Sequence, residues 1–292
     1  MIDLHIHSDK SDGRHTVIEI LKMAEANGIR KISFCDHNVL EAYEELEKID
    51  IRKYYSGEIV NGIEFDFAYK GKLFHMLGYN FDVIALNKCK YIDRTTPEEL
   101  IAREARDLDF LKSVCEKLGI KLTPGLKITT PNDAANDIIK ADMMSHPENN
   151  EILDQLLGKN REISFWRGHV TNPESPFFID YTANVPSAKE IADEIHRCGG
   201  IVVLPHVFEY KSIDNIAFLN EMYNMGILDG IECVHTKHNK EQIEYLVEFA
   251  KEKRLIITGG SDLHLDGKQK IGHGDKGNFE ITDEFDFKCS NN

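Results

Sequence analysis

Two short patterns at opposite ends of this chain limit what it can fold into. Near the N-terminus, Ile2-Asp3-Leu4-His5-Ile6-His7 carries two imidazoles at i and i+2, and near the other end Ser261-Asp262-Leu263-His264 repeats the spacing with a carboxylate and an imidazole. On a β-strand, side chains two apart share a face. Each pair therefore presents two metal-competent donors at a strand end, with Ile2, Leu4 and Ile6 left to pack on the opposite side. Asp12 follows the first pair after a turn-like segment from Ser8 to Ser11. One such pair alone is weak evidence for a metal site; its weight comes from what lies between the two.

Between them runs a strand–helix rhythm. Thr16 and Glu19 form a capping box, Val17, Ile20, Leu21 and Ala24 give helical spacing, and Gly28 stops the helix. The strand 31–35 then delivers Asp36-His37. A further strand, 57–64, ends in Glu64, whose burial in an apolar strand end calls for a cation nearby. The strand 72–79 holds His75. After an interruption, Ser187 and Glu190 form a second capping box, 201–204 delivers Pro205-His206, and strands at 230–234 and 255–260 alternate with helices at 213–225 and 239–253. Alternation of this kind favours parallel strands in an α/β architecture, with sites built at the strand ends.

The interruption spans 89–186. A long helix from Pro97 to Leu118, helical patterns at 133–144 and 150–157, and a loop-rich stretch with Pro147, Pro173 and Pro176 replace the rhythm. The expected division is a discontinuous strand–helix unit, 1–88 with 187–292, carrying an inserted, mostly helical subdomain. That subdomain holds none of the candidate metal ligands and is expected to govern substrate choice. Its His146, Arg161, Arg167 and His169 read as surface residues by default.

Composition narrows the function class. The 292 residues carry a formal net charge of −15, with 41% hydrophobic and 29% charged residues. This is a globular, acidic chain, which excludes a broad basic nucleic-acid surface yet admits a small anionic substrate held through metals. The six cysteines (Cys35, Cys89, Cys115, Cys198, Cys233, Cys289) form no C-x-x-C pair. No apolar run approaches the roughly 20 residues that span a bilayer, and no leader pattern precedes the first strand. A reducing cytoplasmic setting, without a membrane partner, is the expectation.

The metal-competent residues near strand ends are His5, His7, Asp12, His37, Glu64, His75, His206, Asp262 and His264. Imidazole and carboxylate without thiolate suit Zn, Mn or Fe, and suit Ca or Mg poorly. The segments D-L-H-I-H-S-D-K-S-D-G, F-C-D-H, G-I-E-F, H-M-L-G-Y, V-L-P-H, D-G-I-E-C-V-H-T-K-H and G-G-S-D-L-H, in this order, closely resemble the PHP superfamily (polymerase and histidinol phosphatase domain). The resemblance covers 1 to about 82 and about 187 to 274. It departs where Pro205-His206-Val207 stands in place of the A-H-P common in the family.

The resemblance implies a distorted (β/α)7 TIM-like barrel with a site for three divalent metal ions. His5, His7, Glu64 and Asp262 would hold one ion. Glu64 would bridge to a second, shared with His75 and His206. Asp12, His37 and His264 would hold the third. The implied activity is metal-dependent phosphoester hydrolysis through a metal-bridging hydroxide, with Glu64 in the catalytic group and His235 or His238 as proton donor.

The expected substrate is a small phosphomonoester, a nucleotide first, either a nucleoside monophosphate or a 3′,5′-bisphosphate. A 5′-3′ exonuclease on short RNA and a histidinol-phosphate phosphatase stand as alternatives within the class. Outside it stands a non-catalytic PHP binding module, which a complete ligand set disfavours. Amide or ring hydrolysis by a related metal barrel is a further alternative, but no suitable lysine stands at a strand end.

Overall fold

The strand–helix rhythm folds into a sheet that curls almost closed. The computed structural model describes residues 1–159, 165–210, 213–264 and 269–289; Arg161 lies outside these, as does the side chain of Arg167. The strands are β1 (Ile2–Ile6), β2 (Lys31–Phe34), β3 (Glu58–Tyr69), β4 (Lys72–Tyr79), β5 (Ile201–Leu204), β6 (Gly230–Val234), β7 (Ile256–Gly259), β8 (His273–Gly274), β9 (Phe279–Glu280) and β10 (Asp286–Cys289). The helices are α1 (Val17–Ala26), α2 (Glu41–Leu46), α3 (Val83–Leu86), α4 (Pro97–Lys117), α5 (Ala135–Ser145), α6 (Asn150–Leu157), α7 (Ala188–Arg197), α8 (Asn215–Asn224) and α9 (Lys240–Lys253).

Eight strands form one sheet in the order β1-β2-β3-β4-β5-β6-β7-β10, and β8 pairs with β9. The runs β1-β2-β3 and β5-β6-β7 are parallel. Strand β4 is antiparallel to β5, and β10 is antiparallel to β7. The sheet comes close to closing where Ile6 bridges Leu263 just beyond β7. There the His7 N–H donates to Leu263 O at 3.1 Å, and the Asp262 N–H donates to His5 O at 2.8 Å. The two outermost sequence patterns thus meet through backbone hydrogen bonds. The α/β architecture expected from the rhythm, closed into the barrel that the family resemblance implies, is the fold observed. Strand β10 lies beyond the last strand legible in the sequence.

Local sequence accounts for the helices that cover this sheet. Thr16 and Ser187 cap α1 and α7 with reciprocal bonds to Glu19 and Glu190. Val17, Ile20, Leu21 and Ala24 of α1 are buried, as are Ala188, Ile191, Ala192 and Ile195 of α7. All five residues of β1 are buried, Asp3 and His5 included. Burial of Ile2, Leu4 and Ile6 contributes roughly 1.5–3 kcal/mol each. The polar residues of the same strand need partners to be tolerated there.

The chain separates into two compact units. One comprises Met1–Tyr69, Phe74–Asp93 and Val185–Asn292, and the other Lys70–Leu73 and Arg94–Asn184. The boundaries therefore fall a few residues from those expected at 88/89 and 186/187, because Cys89 and Ile92 are buried in the barrel core. Within the second unit, Leu108, Leu111 and Cys115 of α4 pack with Ile139 and Met143 of α5, Leu153 of α6, Phe165 and Phe177. Among the described side chains, Cys35, Cys89, Cys115, Cys198 and Cys233 are buried and form no disulfide. Among the described residues, no helix is long and apolar enough to cross a membrane.

Gly260 marks the tightest approach near the closure. A Cβ there would lie 2.1 Å from His5 Cβ and 2.7 Å from His5 N. Gly28 differs: its φ is +65°, with nothing within 4 Å of the added carbon. We expect Gly260→Ala to destabilise the barrel by about 3 kcal/mol or more, the upper end of overpacking costs, and Gly28→Ala by only about 1 kcal/mol. Urea unfolding of both variants measures this, and equal losses would mean that the approach to His5 is not what selects glycine at 260.

Candidate metal centre

Each candidate ligand reaches the site from a defined piece of backbone. His5 is the penultimate residue of β1 and His7 directly follows the strand, and both are fully buried. The loop before Asp12 is held by Asp36, which accepts from Ser8 N at 2.7 Å, Ser8 Oγ at 2.7 Å and Ser11 Oγ at 2.7 Å. His37 forms an isolated parallel bridge with Glu64, and the Asn38 N–H donates to Glu64 O at 2.8 Å. The end of β2 is thereby locked beside the middle of β3. His75 comes from β4, and Tyr210 Oη accepts its backbone N–H at 3.1 Å. His206 and Asp262 follow β5 and β7 in the left-handed region, with φ of +31° and +55°. Non-glycine residues at positive φ store backbone strain that surrounding contacts must hold.

These elements converge on the Glu64 carboxylate, which is 1% exposed. Its Oε2 lies 3.3 Å from His5 Nε2, 3.2 Å from His7 Nε2 and 3.4 Å from His37 Nε2. Its Oε1 lies 3.1 Å from His75 Nδ1 and 2.8 Å from His206 Nε2. One carboxylate thus faces two separate groups of imidazoles, one on each oxygen. Asp262 Oδ1 completes the first group, 3.5 Å from His5 Nε2 and 3.2 Å from His7 Nε2. Asp12 Oδ2 lies 3.1 Å from His264 Nε2 and 3.9 Å from His37 Nε2, a third group nearer solvent. All nine sequence candidates therefore fall in one region, and their donor atoms cluster in the combinations His5, His7, Glu64 and Asp262; Glu64, His75 and His206; and His7, Asp12, His37 and His264.

The electrostatics follow from this crowding. Burial opposes charge on His5, but the Glu232, Glu64 and Asp262 carboxylates outweigh it and hold the imidazole well above its ordinary value. Burial likewise opposes charge on His37 and His264, yet Glu64 with Asp66, and Asp262 with Asp12, push them up to about 9. Burial would raise Glu64, but His75, His37 and His5 hold it well below the carboxylate range. Burial wins at His206, which falls below its usual value despite the bond to Glu64.

Such a site fits metal ions. His5 Nε2 and His7 Nε2 stand 3.1 Å apart, and His75 Nδ1 and His206 Nε2 stand 3.3 Å apart. The buried Nδ1 atoms of His7, His37 and His206 make no hydrogen bond among the described residues. Ring nitrogens crowded against one another and against ionised carboxylates are costly to bury without a cation. A cation whose coordination displaces the imidazole protons relieves that cost. The nitrogen and oxygen donor set suits Zn, Mn or Fe.

The two histidines proposed as proton donors part company here. His238 Nδ1–H donates to Cys233 O at 3.0 Å, and its Nε2 accepts from the Phe208 N–H at 3.3 Å. Burial and His235 push it down to about 3. Both ring nitrogens serve the backbone, so His238 is a structural residue and the donor role expected of it is withdrawn. His235 Nδ1 accepts from the Lys237 N–H at 3.1 Å, which leaves its proton on Nε2, 3.2 Å from Asp262 Oδ2.

Several residues escaped sequence reading. Glu232 on β6 contacts His5 at 2.9 Å. Asp66 lies 3.6 Å from His37 Nδ1 and 3.4 Å from His75 Nε2. Glu209 groups with His235 and Asp262, and buried Asp3 accepts from the backbone of Ser261 and Gly272. For Asp66 the signal was available: it sits two residues beyond Glu64 on the same strand face.

Comparison with known proteins identifies the family. The PHP domain model matches residues 3–200. The chain belongs to the PHP domain family. It is 26% identical over 267 residues to a 5′-3′ exoribonuclease of Haemophilus influenzae, covering 90% of this chain and 89% of that protein. It is also 26% identical over 269 residues to a phosphoribosyl 1,2-cyclic phosphate 1,2-diphosphodiesterase of Eggerthella lenta, covering 90% and 93%. Among solved structures, an amidohydrolase from Chromobacterium violaceum with bound sulfate and no metal superposes with a TM-score of 0.62 at 21% identity, covering 93% of this chain and 90% of that one. At that identity the likeness shows the barrel fold. Family and relatives together make this PHP protein a metal-dependent hydrolase of phosphoric esters.

We expect His238→Gln to lower the melting temperature while leaving metal content and the pH profile of activity as in the wild type. Elemental analysis and a pH–rate profile check this. A variant that sheds metal as His5→Ala does would return His238 to the site.

Proposed function

We propose that this PHP protein holds three divalent metal ions and hydrolyses a phosphomonoester of a small ribose-phosphate metabolite, most readily a nucleotide. The observation that carries the reading is the Glu64 carboxylate, whose two oxygens face two different groups of imidazoles. In this reading His5, His7, Glu64 and Asp262 hold one ion, Glu64, His75 and His206 a second, and Asp12, His37 and His264 a third. When bound, such ions polarise phosphoryl oxygens and supply a hydroxide nucleophile at neutral pH.

The chain's own groups do the rest. Glu64 and Asp262 stay ionised in a dry setting and so keep their charge available to cations. His235 has Nδ1 occupied as an acceptor and its one proton on Nε2, so it orients Asp262 rather than acting as the acid, and water protonates the leaving alkoxide. His37, His75 and His264 are 20–22% exposed where His5 and His7 are fully buried. A substrate entering from solvent therefore meets these three first.

Support for a ribose phosphate comes from the two curated relatives, each named for cleaving a phosphoester on ribose. The net charge of −15 favours a small substrate over a polyanion. The match to the exoribonuclease over nearly its whole length favours one second reading, stepwise cleavage of short 5′-phosphorylated RNA.

The test is a panel of nucleoside monophosphates, 3′,5′-bisphosphates, cyclic phosphoribose, histidinol phosphate and short RNA, run on Mn- and Zn-loaded protein. We expect inorganic phosphate release to be fastest from a nucleotide. Mononucleotides released stepwise from RNA without free phosphate would replace this reading with the second, and a fully loaded protein inert on every substrate would make it a binding module. Glu64→Gln keeps the side-chain shape but removes the shared charge. We expect kcat to fall about 10³-fold or more, roughly 4 kcal/mol of transition-state stabilisation, with loss of at least one ion. A folded Glu64→Gln protein with near-normal turnover would overturn the bridging assignment.

A further inference from the structure

Glu232 sits in the middle of β6, between Ile231 and Cys233, with no solvent exposure. A carboxylate in such a place is tolerated only when its oxygens are hydrogen bonded. Here each oxygen serves a different partner. Oε1 accepts the Nδ1–H of His5 at 2.9 Å, and Oε2 accepts the backbone N–H of His206 at 2.9 Å.

The two bonds have separate consequences. With Nδ1–H held by Glu232, His5 aims Nε2 inward, 3.3 Å from Glu64 Oε2 and 3.5 Å from Asp262 Oδ1, so that a bound cation would displace the Nε2 proton and meet its lone pair. A metal-ligating imidazole needs that lone pair free. His206 lies at φ +31° and ψ +46°, a backbone conformation that needs outside support. The bond to Glu232 supplies it, and from that conformation Nε2 reaches Glu64 Oε1 at 2.8 Å. His5 and His206 belong to the two imidazole groups on opposite oxygens of Glu64, and their rings stack with centroids 5.9 Å apart.

We propose that Glu232 is a positioning residue that ties the first two metal-binding groups together. A single carboxylate fixes both the tautomer of His5 and the backbone turn of His206, so that the two ions bind as a cooperative pair. This inference rests on the reading of these groups as metal ligands.

The consequence of Glu232→Gln follows from hydrogen-bond arithmetic. An amide has one acceptor oxygen and an NH₂ that only donates. Either His206 N–H loses its acceptor, or His5 must accept at Nδ1 and carry its proton on Nε2. Both outcomes damage metal binding.

The experiment titrates metal-free wild type, Glu232→Gln and Cys233→Ala with Co²⁺, read by visible absorption and elemental analysis, with circular dichroism to verify the fold. Cys233 is the adjacent buried residue of β6 and serves as the control for structural damage. We expect Cys233→Ala to match the wild type. In Glu232→Gln both ions of the pair should bind about 10–100-fold more weakly, with an altered Co²⁺ spectrum and lost cooperativity. Wild-type affinity and spectrum in Glu232→Gln, or an equal loss in Cys233→Ala, would overturn the proposal alone. A wild type that takes up no metal would overturn the reading of the site as well.

Nitrogen-15 NMR of histidine-labelled, Zn-loaded wild type tests the same point without a variant. We expect His5 to bind through Nε2 with its proton on Nδ1. Binding through Nδ1 would contradict the role given to Glu232.

Discussion

Placing an ionised carboxylate where water cannot reach it shapes everything around it. Glu64 is almost wholly buried, and burial alone would drive it to its neutral form. It stays ionised because imidazoles from β1, β4 and the segments after β1, β2 and β5 crowd both of its oxygens. Those imidazoles have to be delivered from strands distant in sequence, which only a curled sheet can do. The parallel register, the bridge from Ile6 to Leu263 and the bridge from His37 to Glu64 are the backbone means of delivery.

The barrel accepts local cost to achieve this. His206 and Asp262 sit at positive φ, and Gly260 gives up its side chain so that its backbone can press against His5. Beneath the ligands lies a layer of carboxylates that contact ring nitrogens and backbone rather than solvent. Asp36 holds the loop before Asp12, Asp3 gathers the backbone of Ser261 and Gly272, and Glu232 joins His5 to the His206 backbone. Much of the net charge of −15 is distributed over the surface, but this buried share serves to aim ligands.

The site was legible in the sequence wherever a strand ended on a polar residue. His5 with His7 and Asp262 with His264 stood out because period-2 spacing survives without tertiary context, and His37 and His206 because each directly follows an apolar run. Glu232 was hidden for the opposite reason. It lies inside an apolar run, and nothing in Gly230-Ile231-Glu232-Cys233-Val234 says which way its side chain points. The separate fates of His235 and His238 were equally out of reach, since they depend on which backbone groups the turn after β6 brings to each ring nitrogen. Strand β10 was missed because its few residues pair only with β7, a partner far back in the chain.

The left-handed backbone at His206 and Asp262 also bears on how such a protein can diverge. Asparagine is among the few residues that tolerate this conformation, and it differs from both histidine and aspartate by a single base in the codon. Drift at either position therefore has a short path to a side chain that binds metal poorly while leaving the chain trace undisturbed. On the proposed ligand set, one substitution at either position would remove a metal ligand and keep the backbone conformation that the fold requires. A lineage can lose its chemistry in one step and keep a stable scaffold for other use.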